Sequence, residues 1–321
     1  MLFKRLNEPA LVMTSGNRRG LPMAITNKAA FREFEGIADY FLLHNREIIN
    51  RSDDSVIRGK PAFTRRSRGY VPDPINIPVS KGISIAFGAE LRNAVAIGTN
   101  GKVFMTQYLG DVTSLEGIES EKEAIQAFSD LLNITCNPDL MACDLHPDYM
   151  TSHMAKVMSQ EMDVPLVRSQ HHRVHITSVM AENDIKDEKI LGIALDGAGY
   201  GEDRQIWGGE VLISTYSGYE RVDQLEYNPM PKGDLCTYYP YRMLISSLTK
   251  QLLDDEIRDI TENHIDLALP HGSQERDIIL NHARRKDVLL TSSNGRFLDS
   301  VSALIGLSHN RTYEGEPAML L

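Results

Sequence analysis

The sequence is poor in cysteine, with only Cys136, Cys143 and Cys236, which lie far apart in the chain. An odd number of cysteines at these spacings indicates neither a disulfide framework nor a Cys-x-x-Cys zinc site. We therefore predict three reduced cysteines in a cytoplasmic protein.

Excess positive charge and long apolar runs are missing as well. The formal net charge is −10, which excludes a large electrostatic footprint for nucleic acid, although Arg65, Arg66 and Arg68 form a local basic stretch. No apolar run approaches the roughly 18 residues that a membrane span needs, and the first nine residues contain no signal-peptide core. We expect no nucleic-acid partner and no membrane partner.

Strand and helix patterns alternate along the 321 residues, which predicts an α/β protein with two domains. In the first domain, residues 1–72, the patterns predict strands at 10–13, 40–43 and 55–57. They also predict a helix at 27–37 with Asn27 as its N-cap. Three prolines at 70–78 disfavour helix, so we interpret this segment as a linker, with residues 73–80 between the domains.

The second domain, residues 81–321, is predicted to begin with three strands at 83–87, 93–97 and 103–108. A tight turn at Asn100 and Gly101 joins the last two strands as a hairpin. Further strands are predicted at 140–143, 164–167, 190–195 and 209–214. Helices are predicted at 120–132, 152–162, 171–181, 242–253, 276–284 and 295–305. Residues 317–321 are typical of a helix start without a stop signal, so we expect the chain to be a fragment of a longer protein.

Two histidines four residues apart offer a candidate metal site. On the predicted helix, His171 and His175 share one face, and two imidazoles at that spacing can bind one divalent ion. The glutamate of zinc-protease helices is absent, so the pattern does not support peptide hydrolysis. Asp196, at the predicted end of an apolar strand, is the nearest further ligand. Solvent-facing histidines at a helix start are the alternative that the spacing leaves open.

A glycine-rich stretch follows Asp196, with Gly197, Gly199 and Gly201 before another predicted strand. A dinucleotide-binding fingerprint would need a helix directly after these glycines. A glycine turn between two strands is instead similar to the phosphate loops of sugar kinases and actin, where backbone N–H groups contact phosphate. A plain tight turn is the alternative.

Three polar pairs are further candidate binding residues: Ser15 with Asn17, Arg66 with Arg68, and Asp144 with His146. The first pair follows a predicted strand and suits a nucleotide or carbonyl oxygen. The arginines carry planar cations that suit phosphate oxygens, and the third pair follows the strand end where α/β folds bind ligands. Simple turns and a solvated basic stretch remain the alternatives.

Short motifs are dispersed in order over nearly the whole chain: LVMTSGN at 11–17, IAD at 37–39, LHNR at 43–46, DDSV at 53–56, RRSRGYVP at 65–72, GAEL at 88–91, CDLHPDY at 143–149, QHH at 170–172, DG at 196–197, GYG at 199–201, WGGE at 207–210 and YEGE at 313–316. Together they resemble the HypF-type carbamoyltransferases, which mature nickel–iron hydrogenases. Residues 10–70 are similar to the C-terminal part of a YrdC-like domain. Residues 80–321 are similar to the adjoining carbamoyltransferase domain, whose fold belongs to the actin-like ATPase group and is shared with the threonylcarbamoyl-transferases.

The resemblance implies a two-step reaction. The YrdC-like site would join ATP to a carbamoyl group from carbamoyl phosphate, giving carbamoyl adenylate. The second domain would pass the carbamoyl group to the C-terminal cysteine of the partner HypE.

The resemblance also implies roles for individual residues. His171, His175 and Asp196 would hold iron or zinc as the catalytic metal, with a further aspartate beyond Leu321. The nucleotide and carbamoyl ligands would be Ser15, Asn17, Arg66, Arg68, Gly197, Gly199, Gly201, Asp144 and His146.

Four positions depart from the family pattern. Arg173 and Val174 replace the third histidine and the alanine of the usual His-His-His-Ala-His, Lys232 replaces a glycine, and Asn294 stands where a cysteine is common. The family's acylphosphatase-like unit, its zinc fingers and half of the YrdC-like domain are missing from the sequence, so we expect residues 1–321 alone to turn over poorly. Two alternatives are an O-carbamoyltransferase for a small molecule, whose relatives carry the YrdC-like part behind the transferase domain, and a metal- and nucleotide-binding protein without catalysis.

Overall fold

The computed structural model describes residues 4–6, 9–18, 20–59, 62–78, 82–134 and 137–321. Cys136 and part of the predicted linker lie outside the described residues. The chain divides into two units, Met1–Arg168 and Ser169–Leu321, and both combine helices with sheets. The predicted α/β class is therefore confirmed.

The N-terminal part of the first unit holds one helix and one hairpin. Helix α1 (Asn27–Phe34) begins after Thr26, whose hydroxyl accepts the Ala29 N–H at 3.1 Å. The N-cap is therefore Thr26 and not Asn27, which is already helical. Strands β1 (Val56–Arg58) and β2 (Ala62–Arg65) pair antiparallel, so the strand predicted at 55–57 is present one residue later.

The strands predicted at 10–13 and 40–43 are wrong. Val12 is 98% exposed and Leu42 is 99% exposed, and no described residue pairs with either segment. An apolar run forms a strand when a neighbouring strand pairs with it and one face is buried. Neither condition is met at these two places.

A six-stranded sheet forms the centre of the first unit, in the order β3-β6-β5-β4-β7-β8. Its strands are β3 (Ile75–Asn76), β4 (Ile83–Ala86), β5 (Ala96–Thr99), β6 (Lys102–Met105), β7 (Leu140–Asp144) and β8 (Leu166–Ser169). Asn100 and Gly101 join β5 to β6 with positive φ angles of 50° and 78°, as a tight hairpin turn requires. The proline-rich segment contributes β3, which pairs with β6 at the sheet edge.

Two helices belong to this sheet. Helix α2 (Leu115–Leu131) begins five residues before its predicted start, because the Ser114 hydroxyl accepts the Gly117 N–H at 3.1 Å. Helix α3 (Met150–Met162) is close to its prediction. Ile97, Met141 and Ala155 have no solvent exposure and form part of the core of this unit.

The second unit contains a five-stranded sheet and most of the helices. Its strands are β9 (Ile190–Tyr200), β10 (Ile206–Ser214), β11 (Tyr219–Gln224), β12 (Asn228–Pro229) and β13 (Leu290–Thr291). Helix α4 (His171–Glu182) packs on β9 and β10, where Ile176, Met180 and Leu212 are buried together. This burial fixes the start of α4 relative to β9.

The remaining helices of this unit pack mainly on one another around a second core. They are α5 (Leu235–Tyr238), α6 (Pro240–Leu248), α7 (Asp254–Thr261), α8 (Ile265–Ala268), α9 (Gly272–Ala283), α10 (Asn294–Leu304) and α11 (Glu316–Leu320), with a 3₁₀ turn at Glu262–His264. The helix predicted to reach residue 253 ends at Leu248. The next helix, α7, begins at Asp254, where the Leu253 N–H donates to the Glu256 carboxylate at 2.8 Å. Among the helices of the described ranges, none is both long and apolar enough to cross a bilayer.

Candidate metal centre

The start of α4 sets the position of the histidines. Gln170 is the N-cap, and its side-chain oxygen accepts the Arg173 N–H at 3.0 Å. The helix therefore begins at His171 and places His175 one turn later. The two Nε2 atoms lie 3.2 Å apart, so the predicted shared face is confirmed.

Asp196 does not end a strand, and the glycines after it do not form the predicted turn. Strand β9 continues to Tyr200, and the turn lies at residues 201–205. Leu195 pairs with Gly209 and Gly199 pairs with Trp207, so residues 196–198 of β9 lie opposite Gly208 alone. Three glycines within five residues are typical of a turn, which explains why the sequence predicts one here. A β-bulge can change the direction in which a side chain points. The β-bulge at residues 196–198 directs the Asp196 carboxylate toward His171 and His175.

Residues at the start of α10 and in β10 contact the bulge and fix its conformation. The Ser293 hydroxyl donates to the Gly197 carbonyl at 2.7 Å, and the Asp196 carboxylate accepts the Gly197 N–H at 2.6 Å. Residue 208 has to be glycine, because a Cβ atom there would lie 2.7 Å from the Asp196 carbonyl oxygen. The bulge is thus enclosed by backbone on its β10 side.

The fully buried Glu210 side chain joins strand β10 to Ser292 and Arg221 by hydrogen bonds. Its Oε1 accepts the N–H groups of Gly208 at 3.0 Å and Gly209 at 3.2 Å, and the Ser292 hydroxyl at 2.5 Å. Its Oε2 accepts from the Arg221 guanidinium at 2.6 Å. That guanidinium lies 3.8 Å from the Trp207 ring centroid. Glu210 and Ser293 are not among the predicted site residues, although a glutamate inside a glycine-flanked apolar strand is a signal that could have marked Glu210.

The candidate ligand atoms face one point. Asp196 Oδ2 lies 3.4 Å from Nε2 of His171 and 3.8 Å from Nε2 of His175, and the three ligand atoms lie within 4.8 Å of one another. A tetrahedral ion bound at about 2.0–2.1 Å separates its ligand atoms by about 3.3 Å. The spacing therefore fits a divalent ion, and imidazole with carboxylate suits zinc or iron.

The charge state of Asp196 also fits a role as a metal ligand. Burial alone would raise the pKa of Asp196, but the three neighbouring imidazoles and the Gly197 N–H together lower it below its usual range. The carboxylate is therefore ionised at neutral pH, as metal binding requires. Its Oδ2 atom is buried and lies 3.4 Å from Nε2 of His171, 3.4 Å from Nε2 of His172 and 3.8 Å from Nε2 of His175, so it faces the point where the candidate ligand atoms converge.

The other predicted binding residues lie in the first unit, apart from the glycines. The Ser15 hydroxyl donates to the Asn17 amide oxygen at 2.6 Å. Arg66 donates to the Asp73 carbonyl at 2.6 Å, and Arg68 donates to the Ser52 carbonyl at 3.0 Å. No hydrogen bond or ion pair among the described residues joins the first pair to the arginines. Their role at a nucleotide stays a prediction.

Asp144 and His146 form a small turn after β7. The Asp144 carboxylate accepts the His146 N–H at 2.8 Å, and the His146 ring stacks on Tyr149 at 4.0 Å. In the second unit, Gly197 donates its N–H to Asp196, and Gly201 donates its N–H to the Gln205 carbonyl. Contacts of any of these groups with phosphate stay a prediction.

Three family models match the chain in sequence. One of the Sua5, YciO and YrdC type, described as "Telomere recombination", matches residues 1–67. The "HypF Kae1-like domain" matches residues 80–182, and the "Carbamoyltransferase, Kae1-like Domain, second subdomain" matches residues 192–321. The chain belongs to the HypF carbamoyltransferase family.

Curated relatives agree over the full chain. The "Probable carbamoyltransferase HypF" of Methanocaldococcus jannaschii is 39% identical and aligns with 100% of this chain and 41% of its own length. The carbamoyltransferase HypF of Synechocystis sp. is 36% identical over 100% of this chain and 43% of its own length. The chain thus spans about two fifths of the length of these relatives.

Solved HypF structures share the fold. The crystal structure of T. kodakarensis HypF has a TM-score of 0.88 and 43% identity, covering 96% of this chain and 41% of that one. Full-length HypF in its phosphate- and nucleotide-bound form has a TM-score of 0.85 and 34% identity, covering 96% of this chain and 47% of that one. The expected YrdC-like domain and the expected carbamoyltransferase domain are confirmed.

Proposed function

We propose that this chain carries the transfer site of a carbamoyltransferase of hydrogenase maturation, acting in the cytoplasm. The observation that carries the proposal is the cluster of His171, His175 and Asp196, whose ligand atoms converge on one point in a chain of the HypF family. The substrates are carbamoyl phosphate, ATP and water: the carbamoyl group ends on the α-phosphate as carbamoyl adenylate, and phosphate and pyrophosphate are released. The acceptor is the C-terminal cysteine of HypE.

The side chains of the cluster supply a preformed ligand set. His171 and His175 offer imidazole lone pairs on one helix face, and Asp196 offers an ionised carboxylate from the bulge. Iron or zinc bound there would supply a Lewis acid that polarises the carbamoyl carbonyl. In the transfer, the acceptor thiolate forms a bond to the carbamoyl carbon, and the bond from that carbon to the adenylate phosphate oxygen breaks.

Four of the predicted binding residues belong to the earlier step. Ser15, Asn17, Arg66 and Arg68 would bind ATP and the carbamoyl group in the YrdC-like domain, residues 1–72, with 73–80 as linker and 81–321 as the transferase domain. Nucleotide and phosphate are present in a HypF structure of the same fold. This supports a nucleotide-dependent reaction for the family.

The test is mass spectrometry of a HypE C-terminal peptide. The intact gene product is incubated with the peptide, ATP and carbamoyl phosphate, and the expected result is a carbamoyl adduct on the cysteine. The variant His175→Ala is expected to give none, and a peptide with serine in place of the cysteine is the acceptor control. A thiol that gains no mass while a small hydroxylated acceptor does would indicate an O-carbamoyltransferase. No adduct on either acceptor would refute the enzymatic proposal.

A further inference from the structure

His172 lies between the two metal-facing histidines but is placed differently from both. Its side chain is fully buried. Its Nδ1 atom is 3.1 Å from the Gln170 amide nitrogen, and its Nε2 atom is 3.4 Å from Asp196 Oδ2. Within the described part of the chain, Nε2 of His172 and Oδ2 of Asp196 are both buried polar atoms without a hydrogen-bond partner.

The orientation of the Gln170 amide decides which ring nitrogen carries the proton. The amide oxygen caps α4 by accepting the Arg173 N–H at 3.0 Å. The amide nitrogen therefore faces His172 Nδ1 and also the Tyr200 carbonyl, at 3.3 Å. An amide nitrogen has hydrogens and no free lone pair, so His172 Nδ1 has to be the acceptor. The single ring proton then sits on Nε2.

The His172 ring is confined. Its centroid lies 6.5 Å from that of the Trp207 ring, with an angle of 29° between the ring planes, and a Cβ atom at residue 199 would lie 2.5 Å from its Cε1. The His172 ring has little freedom to turn its other edge toward Asp196.

We propose that His172 is a positioning residue that directs its Nε2–H at Asp196 Oδ2 and holds this carboxylate for the metal, without being a ligand itself. The inference rests on the proposed metal site, and it gives the three histidines of the motif two different roles. Hydrogen bonds to a ligating side chain typically change metal affinity about 10–100-fold. Gln170 orients His172, and His172 orients the Asp196 carboxylate. We therefore expect these two residues to change the metal affinity through the orientation of that carboxylate.

The first test reads the tautomer directly in the native chain. Long-range ¹H–¹⁵N NMR of histidine-labelled protein distinguishes protonated from unprotonated ring nitrogens, and loss of a signal in His172→Gln assigns His172. We expect a proton on Nε2 and none on Nδ1 at neutral pH, with and without zinc. A proton on Nδ1 would overturn the proposal. This measurement needs no metal, so it remains decisive even if the chain binds none and the proposed function fails.

The second test measures zinc affinity by competition with a chelating dye. His172→Phe fills the space without a donor, and we expect about 10–100-fold weaker binding. His172→Gln keeps an N–H near Nε2, so its affinity should stay close to that of the native chain. Native affinity in His172→Phe, with circular dichroism showing an intact fold, would overturn the proposal. So would an equal loss in both folded variants.

Gln170→Glu provides an independent variant that keeps the helix cap. A carboxylate at this position accepts a hydrogen from Nδ1, which moves the ring proton away from Nε2. We expect the Nδ1–H tautomer by NMR together with weaker zinc binding. An Nε2–H tautomer in this variant would contradict the proposed control by Gln170.

Discussion

Replacing Gly199 by alanine tests how closely α4 and β9 fit together at the metal cluster. A Cβ atom at residue 199 would lie 2.5 Å from His172 Cε1 and 2.9 Å from His171 Cβ, where ordinary contacts begin near 3.4 Å. Both neighbours belong to the first turn of α4, so the helix start has to move away from the strand. Gly197→Ala is the matched control, because a Cβ atom there meets no heavy atom within 4 Å.

The displacement sets the magnitude. A contact of 2.5 Å has to lengthen by about 1 Å, and overpacking of this kind lowers the free energy of unfolding by about 1–3 kcal/mol. The same shift separates His171 from Asp196, which now lie 3.4 Å apart. We expect metal affinity to fall by about tenfold or more, since misplacement by 1 Å can cost about a hundredfold in a positioned site.

Urea unfolding of the metal-free chain and zinc competition titration measure the two effects. Gly197→Ala should unfold at or slightly above the native urea concentration, because alanine restricts the unfolded chain more than glycine does. It should also bind zinc with near-native affinity. Equal stability and equal zinc affinity of Gly199→Ala and Gly197→Ala would refute the close fit of α4 against β9.

Two further predictions concern buried charge. Burial raises the pKa of Glu121 from 4.5 to about 7, so the folded chain holds this proton more tightly than the unfolded chain. The free energy of unfolding should therefore fall as pH rises from about 5 to 8. Glu121→Gln should regain about 3 kcal/mol at pH 8 and little at pH 4 in urea titrations; an unchanged pH dependence would contradict this. Glu210→Gln leaves the Arg221 guanidinium without its buried partner, and we expect a loss of about 3–5 kcal/mol in the same assay, whereas a loss below about 1 kcal/mol would show that the pair is dispensable.

Local chemistry allowed some parts of this structure to be predicted. The turn at Asn100 and Gly101 and the shared face of His171 and His175 depend on neighbours in the sequence, and both are present. The carboxylate chemistry of Asp196 predicts it as a ligand, but a β-bulge lies where the sequence predicts a strand end and a turn. The bulge that aims it depends on Glu210 and Ser293, which are distant in the sequence and contact it only in the folded chain.

Apolar alternation was the least reliable guide. The segments at 10–13 and 40–43 have strand-like composition but no pairing partner among the described residues. In β9 the alternation is real, yet Leu191, Ile193 and Leu195 are each about two-thirds exposed and the buried face is formed by residues such as Ala194. The order of residues predicts that apolar side chains alternate between the two faces of a strand. Which face is buried depends on the elements that pack against it.

Zinc titration of the native chain beside Asp196→Asn and His175→Ala tests the central claim most directly. One ion should bind per native chain, and each variant should bind much more weakly because it removes one of three converging ligand atoms. At a free zinc concentration of about 100 times the dissociation constant, binding should raise the free energy of unfolding of the native chain by about 2.7 kcal/mol. A native chain that binds no ion, or variants that bind as tightly as the native chain, would contradict a metal centre at His171, His175 and Asp196.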